Sequence, residues 1–321
     1  MVRADEMRLV TKVARFYHTR GLRQVEIAER LHLSQPRVSR LLAQAVDLGV
    51  VRNIVAPPAE LNRRLEEGLR RVYGLAGVHV VDSVAGDNEE LAMDLGQAAA
   101  SLLSVALSAP GVHTVGFTSW SRTLRHAVEA MRPLRGVSGH VVEMLGDLGA
   151  PSLQQEVAHL TQRLATLTGA QPVFLRVPGV MISPIREALL RQDPHAQEAL
   201  RLLDSLDLAL LSVGPCEVVG PLRPGDNYFT QEQFDEAART GAVGQICLRF
   251  LDAEGGAVRT SLDDLVVGVT VEQLRRARNR WAVAGGKEKY AVLRAALSGG
   301  WVDHLVTDTA TAGHLLEAAD A

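Results

Sequence analysis

Along residues 7–19 apolar side chains recur at Leu9, Val10, Val13, Phe16 and Tyr17, a helical stripe that Gly21 terminates. A second short helix is predicted over residues 25–31, with Ile27, Ala28 and Leu31 facing inward, and residues 32–34 form a tight turn. Ser34 suits an N-cap, and Pro36 falls in the first turn of the next helix, where its missing N–H costs least. Val38, Leu41, Leu42 and Ala45 give this third helix a buried face, and it ends near Gly49. Residues 50–55 (VVRNIV) then alternate, which predicts a short strand.

Pro57 and Pro58 stiffen a connection, after which residues 59–73 read as a linker helix. From residue 77 onward the pattern changes. Short apolar runs (GVHVVDS, GVHTVGF, GHVVEML, QPVFLRV, LDLALLSVG, AVGQICLRF, RWAVAGG and WVDHLVTD) are separated for the most part by longer helical stretches. That alternation predicts an α/β fold, a mostly parallel sheet with helices on both faces. The expected organisation is a helical unit over 1–56, a linker helix over 57–73 and an α/β domain over 74–321.

Composition adjusts this picture in three ways. A hydrophobic fraction of 47% supports a full core, and 4% aromatic content points to Ala/Leu/Val-packed layers. Residues 1–56 carry a net charge of +5 and the remainder −8, so a polyanion partner is expected for the small unit alone. Cys216 and Cys247 are the only cysteines, with neither a zinc spacing nor a disulfide framework, and no metal or cofactor is expected. The N-terminus lacks the apolar core of a signal peptide. The most apolar stretch, LGQAAASLLSVALSAPG, reads as too short for a bilayer, so a cytoplasmic protein without a membrane partner is expected.

Two small helices joined by a tight turn form a helix-turn-helix, whose second helix enters the DNA major groove. Its polar face offers Gln35, Arg37, Ser39, Arg40 and Gln44, with Ser34 at its start. Arginine pairs with guanine and glutamine with adenine, while Ser34 and Ser39 are suited to phosphates. In the α/β part, ligands bind beyond the carboxyl ends of strands, and three loops there carry chemistry. GFTSWSRTL offers Thr118, Ser119, Ser121 and Thr123 hydroxyls, Arg122 and the ring of Trp120, a cradle for phosphate or sugar oxygens. GAVGQICLRFLD offers Arg249 and Asp252 as a charged pair. VAGGKEK places Gly285 and Gly286 at a helix start with Lys287 and Lys289 behind them, suited to an anion though not as a Walker A loop.

With these residues the chain resembles the SorC family of bacterial sugar-responsive transcription regulators. In the helical unit Gln24, Ile27, Ala28, Leu31, Ser34, Val38, Ser39, Arg40, Leu41, Leu42 and Gly49 match the family's pattern. Further along, GAVG…RF.D, VAGG..K…AL.GG and L.TD..TA..LL occur in order, so the resemblance covers nearly the whole chain. It implies a winged-helix-like DNA-binding domain followed by a Rossmann-like domain similar to sugar-phosphate isomerases and deaminases, used as an effector sensor. It also implies that residues 118–123, Arg249 and Lys289 line the effector pocket, and that the protein is a dimer or tetramer. Gln24 is carried over by the same match as a DNA-contact residue. Two positions depart from the pattern, Ser121 and Leu248, each standing where glycine is common.

The expected function is a sequence-specific, DNA-binding regulator of carbohydrate genes, controlled by a sugar, sugar alcohol or sugar phosphate. Two alternatives stay open: a sugar-phosphate isomerase-like enzyme with a DNA-binding appendage, and a ligand-independent structural DNA binder. His113, His126 and His140 are scattered and suggest no acid/base pair.

Overall fold

The computed structural model describes residues 4–51, 61–83, 87–134, 139–181, 185–222 and 227–320. The chain folds as two compact units, Met1–Pro58 and Ala59–Ala321.

In the first unit α1 (Ala4–Ala14) runs on into a π-helical turn, Arg15–Thr19. It is followed by α2 (Gln24–Leu31) and α3 (Gln35–Asp47). Val10, Val13, Ile27, Val38 and Ala45 have no exposed surface and form a separate small core. The apolar spacing that predicted the helices is thus largely the spacing that buries them, except at Tyr17, which is exposed. Gly21 and His32 adopt left-handed φ values of 66° and 53°, reversing the chain between helices. Ser34 holds the N-cap position with extended backbone, yet its hydroxyl makes no capping bond. The strand expected over 50–55, with any wing it would build, lies outside the described residues beyond Val51.

The second unit opens with α4 (Arg63–Tyr73), which is not a free linker. Leu69 is fully buried in the core, and Asn62 and Glu66 clasp the edge of the sheet. Seven parallel strands follow: β1 (Gly77–Val81), β2 (Thr114–Phe117), β3 (His140–Glu143), β4 (Gln171–Val173), β5 (Leu208–Leu211), β10 (Arg280–Val283) and β11 (His304–Asp308). Their order is β1-β11-β10-β5-β2-β3-β4. Alternate residues supply two cores. Val115, Phe117, Leu208, Leu210, Trp281 and Val283 face the helices α5 (Asn88–Leu107), α6 (Arg122–Ala130) and α7 (Pro151–Thr168). Ala209, Leu211, Ala282 and Leu305 face α4, α9 (Pro194–Leu202, preceded by α8, Ile185–Gln192), α12 (Tyr290–Ser298) and α13 (Thr309–Asp320).

Two expectations change here. Residues 242–250 are not one strand. They form β7 (Gly244–Ile246) and β8 (Arg249–Leu251), joined by Cys247 and Leu248 at φ values of 51° and 60°. With β6 (Val213–Gly214) and β9 (Ala257–Val258) they make a four-stranded antiparallel sheet; α10 (Gln231–Arg239) lies between β6 and β7, and α11 (Val271–Arg276) follows β9. Second, α5 is longer than the apolar stretch suggested. Its 20 residues and mean hydropathy of 1.2 suffice to cross a bilayer. Here Leu95, Ala99, Leu103 and Leu107 are instead buried against the sheet, as in the core helix of an α/β layer.

Candidate functional site

The direction of winding reverses between β2 and β5: from β2 the chain proceeds to β3 on one side, and from β5 it returns to β10 on the other. Such a reversal opens a crevice at the carboxyl ends of the two strands. The Ser/Thr loop lies there. Thr118 N–H continues the pairing by donating to Leu210 O (3.1 Å), and Ser121 N–H closes a turn onto Thr118 O. Thr118, Ser119, Ser121 and Thr123 are all buried, and Trp120 is half-buried against the core. Ser121 caps α6, accepting from Leu124 N–H at 3.3 Å, with ordinary extended backbone (φ −79°). A serine therefore stands without strain where the family commonly has glycine. Leu248 is the opposite case: its φ of 60° is a left-handed conformation that glycine adopts freely and leucine does not.

That strained hairpin turn meets the Ser/Thr loop directly, with Thr118 Oγ1 and Cys247 Sγ 3.5 Å apart. Gln245 supports the turn by accepting from Leu248 N–H at 2.8 Å. Burial raises the Cys247 thiol to about 11, so it sits as an uncharged group in the floor.

On the neighbouring strand, β10 runs into Gly285 and Gly286. A side chain at Gly285 would collide with the Asp308 carboxylate, and Gly286 has φ 99°. Asp308 is buried at the end of β11 and accepts from both Thr311 N–H (2.9 Å) and Thr311 Oγ1–H (2.6 Å). Thr311 Oγ1 in turn accepts from Gly286 N–H at 3.0 Å, which pins the glycine loop to the start of α13. Lys287 is exposed. Lys289 is half-buried; its backbone N–H donates to Gly286 O (3.0 Å), while its ammonium makes no hydrogen bond or ion pair among the described residues. Burial pushes its ammonium below the ordinary lysine range; Arg122 adds to this, and Glu288 opposes it. Residues 118–121, 247–248 and 285–289 are thus gathered around β2, β5 and β10.

Three site residues stand differently from expectation. Arg122 is exposed, and its guanidinium pairs with Glu89 at 3.3 Å. Arg249 is 5% exposed, donates to Val269 O, Asp263 O and Asp263 Oδ1 at 3.0–3.2 Å, and straps the 263–269 segment to β8. Its carboxylate partner is Asp263 rather than Asp252. Asp252 shapes the β8–β9 turn, accepting from Glu254 N–H and Gly256 N–H. That turn packs on Gly299 and Trp301, between the end of α12 and the amino end of β11, whereas the crevice lies at the carboxyl ends of the strands.

Sequence reasoning passed over two groups. Asp308 and Thr311 were legible only as an acidic cap three residues before a threonine at a helix start. Glu143, at the end of β3, is buried between Thr161 Oγ1–H (2.9 Å) and Leu175 N–H (3.0 Å), and burial holds its carboxyl above the usual range.

In the first unit Gln35, Arg37, Ser39 and Arg40 are exposed along α3, with Ser34 exposed at its start. Arg40 Nε lies 3.4 Å from Pro36 O. Gln24 and Gln44 are half-buried, and Gln44 Nε2 donates to Glu6 at 3.4 Å. Arg37, Arg40 and Gln44 line one wall of a 670 Å³ cleft whose other wall carries Asp5 and Glu6.

Comparison with known proteins agrees with both halves. Residues 58–317 match the family model described as "Putative sugar-binding domain". The chain is 31% identical over 324 residues to the sorbitol operon regulator of Klebsiella pneumoniae, covering 99% of this chain and 100% of that one. It is 29% identical to the deoxyribonucleoside regulator of Bacillus subtilis, covering 97% and 98%. The crystal structure of the full-length sorbitol operon regulator SorC from Klebsiella pneumoniae superposes with a TM-score of 0.72 at 29% identity, over 98% of this chain and 100% of that one. The helix-turn-helix, the crevice between β2 and β5 and these full-length similarities together make the chain a member of the SorC family of sugar-binding transcriptional regulators.

Proposed function

We propose that this regulator works in the cytoplasm as a homo-oligomer, without catalysing a reaction, and that its operator affinity is set by a phosphorylated sugar or sugar alcohol bound in the crevice. The observation that carries the reading is Lys289, a half-buried cation whose ammonium has no ion-pair partner among the described residues, at the same carboxyl-end side of the sheet as the buried hydroxyls of residues 118–123. A phosphate or carboxylate would supply that partner, and the hydroxyls would meet the carbon skeleton's oxygens. Relatives named for sorbitol and for deoxyribonucleosides support a polyol or pentose derivative. Arg249 and Asp252 are left out of the pocket, since their polar groups serve the fold. A single helix-turn-helix contacts too little DNA for tight specific binding, which supports an oligomer reading repeated half-sites.

The test is a thermal-shift screen against sorbitol, sorbitol 6-phosphate, deoxyribose 5-phosphate and inorganic phosphate, with selection of bound duplexes from a randomised DNA library. A ligand stabilises in proportion to the logarithm of its concentration over its dissociation constant. Stabilisation by phosphorylated compounds above their unphosphorylated counterparts is expected. Stabilisation by none of them, or turnover of any, would overturn the reading.

A further inference from the structure

The glycine loop of the crevice does not end at the crevice. Its Gly286 N–H is held by Thr311 Oγ1 in the first turn of α13. One turn further along, Leu315 O accepts from Tyr73 Oη–H at 2.8 Å. Tyr73 is the last residue of α4, and α4 packs along α13. The fit is close: a side chain at Gly68 would press on Leu316 at 3.1 Å, and Leu69 and Leu315 are both fully buried. The other end of α4 is fixed to β1. Glu66 accepts from Val80 N–H (2.9 Å) and pairs with His79, while Asn62 donates to Val80 O (3.0 Å). Along the chain, α4 is the first described helix after the helix-turn-helix unit.

We propose that α13 couples the crevice to α4, with Thr311 and Tyr73 as the positioning residues at its two contacts. This rests on reading the crevice as the effector site. A ligand on Lys289 and the glycine loop acts on Gly286, whose carbonyl accepts from Lys289 N–H (3.0 Å) and whose own N–H is bonded to α13 through Thr311. A hydrogen-bonded helix transmits a shift of its first turn as a rigid body, because packed interiors do not absorb it. Leu315 and Leu316 lie one turn beyond Thr311 and are the residues α4 rests on. Displacement at the loop therefore arrives at the helix that leads back to the DNA-binding unit. Thr311 and Tyr73 touch neither ligand nor DNA in this account. They set how far occupancy of one site is felt at the other.

Coupling of this kind is reciprocal, so it can be tested on the full-length chain without any ligand, by amide hydrogen exchange. Tyr73→Phe removes one hydroxyl. It is expected to speed exchange at residues 284–290 about two- to tenfold, the effect of one hydrogen bond on a local opening equilibrium. Exchange in α7, which lies on the other face of the sheet, stays at the wild-type rate. Thr311→Val is expected to speed exchange in α4, and to add nothing there once Tyr73→Phe is present. If Thr311→Val does not fold, the Tyr73→Phe result at 284–290 decides alone. A Tyr73→Phe effect confined to α4 and the end of α13 would overturn the proposal, as would equal acceleration in α7, which signals general destabilisation. Either failure leaves ligand binding in the thermal screen untouched, so it is distinct from failure of the effector reading.

Discussion

Replacing Lys289 by Met separates binding from folding with a single atom group. The variant keeps the aliphatic stem, which packs, and removes the ammonium. In the folded protein that ammonium is disfavoured, because burial and Arg122 lower its pKa against the pull of Glu288. The sign follows from linkage. A base whose folded pKa lies below its unfolded value destabilises the fold at all pH values below the folded pKa. The penalty disappears as pH rises from there toward the unfolded value. At neutral pH Lys289→Met removes the penalty, so its melting temperature should be no lower than wild type. Ligand affinity should move the other way. A charge-assisted hydrogen bond to an anion contributes about 1.5–3 kcal/mol, so the dissociation constant should rise roughly 10- to 150-fold. The assay is calorimetric titration of both proteins with the compound selected in the thermal screen, alongside melting curves without ligand. A variant that binds as tightly as wild type would show that Lys289 faces no anion. A variant that melts well below wild type would show that the ammonium stabilises the fold, contrary to its depressed pKa.

Arg249→Met should destabilise the α/β unit by about 1.5–3 kcal/mol in urea denaturation, since it removes a buried donor from Val269 O, Asp263 O and Asp263 Oδ1 while Asp263 keeps its bond from Thr260 N–H; a loss under 1 kcal/mol (about the value of an exposed pair) would return Arg249 to the candidate ligand residues. Arg37→Ala or Arg40→Ala should weaken binding to library-selected DNA by about 1–3 kcal/mol at each base read, and less on scrambled duplex; equal losses on both duplexes would mean phosphate contacts only. Glu143 has a raised carboxyl pKa, so its cost to the fold is present at neutral pH and is relieved as pH falls through that pKa toward the unfolded value. Glu143→Gln, which does not titrate, should flatten that part of the stability profile between pH 8 and 4.5 in denaturant titrations, and an unchanged profile would remove Glu143 as its source.

The positions of the inner parallel strands were legible because β2, β3, β5, β10 and β11 are short apolar runs buried on both faces, unlike the half-buried edge strands β1 and β4, and the Ser/Thr loop followed from where such a run stops. The β7–β8 hairpin was not. Its turn is built from Cys247 and Leu248, residues that give no turn signal and are held at positive φ by burial and by Gln245. Reading straight through it also misassigned the partner of Arg249. Asp252 is nearer in sequence, but Asp263 is nearer in space, because the chain turns back through β9 before reaching it. Lys289 could be singled out by its place behind two glycines. That it lacks a partner, while Lys287 is solvated, depends on long-range packing that spacing does not encode.

The clasp of Asn62 and Glu66 on Val80 has a consequence for handling the domain alone. A parallel sheet has two edges, and an uncovered edge is a template for another chain's strand. On one side β4 carries Pro172, which offers no N–H for pairing. On the other side the backbone groups of Val80 are occupied by side chains from α4. A fragment cut at residue 74 would keep every strand and lose this cover. It would expose β1 to self-association, so a well-behaved effector domain has to begin before Asn62.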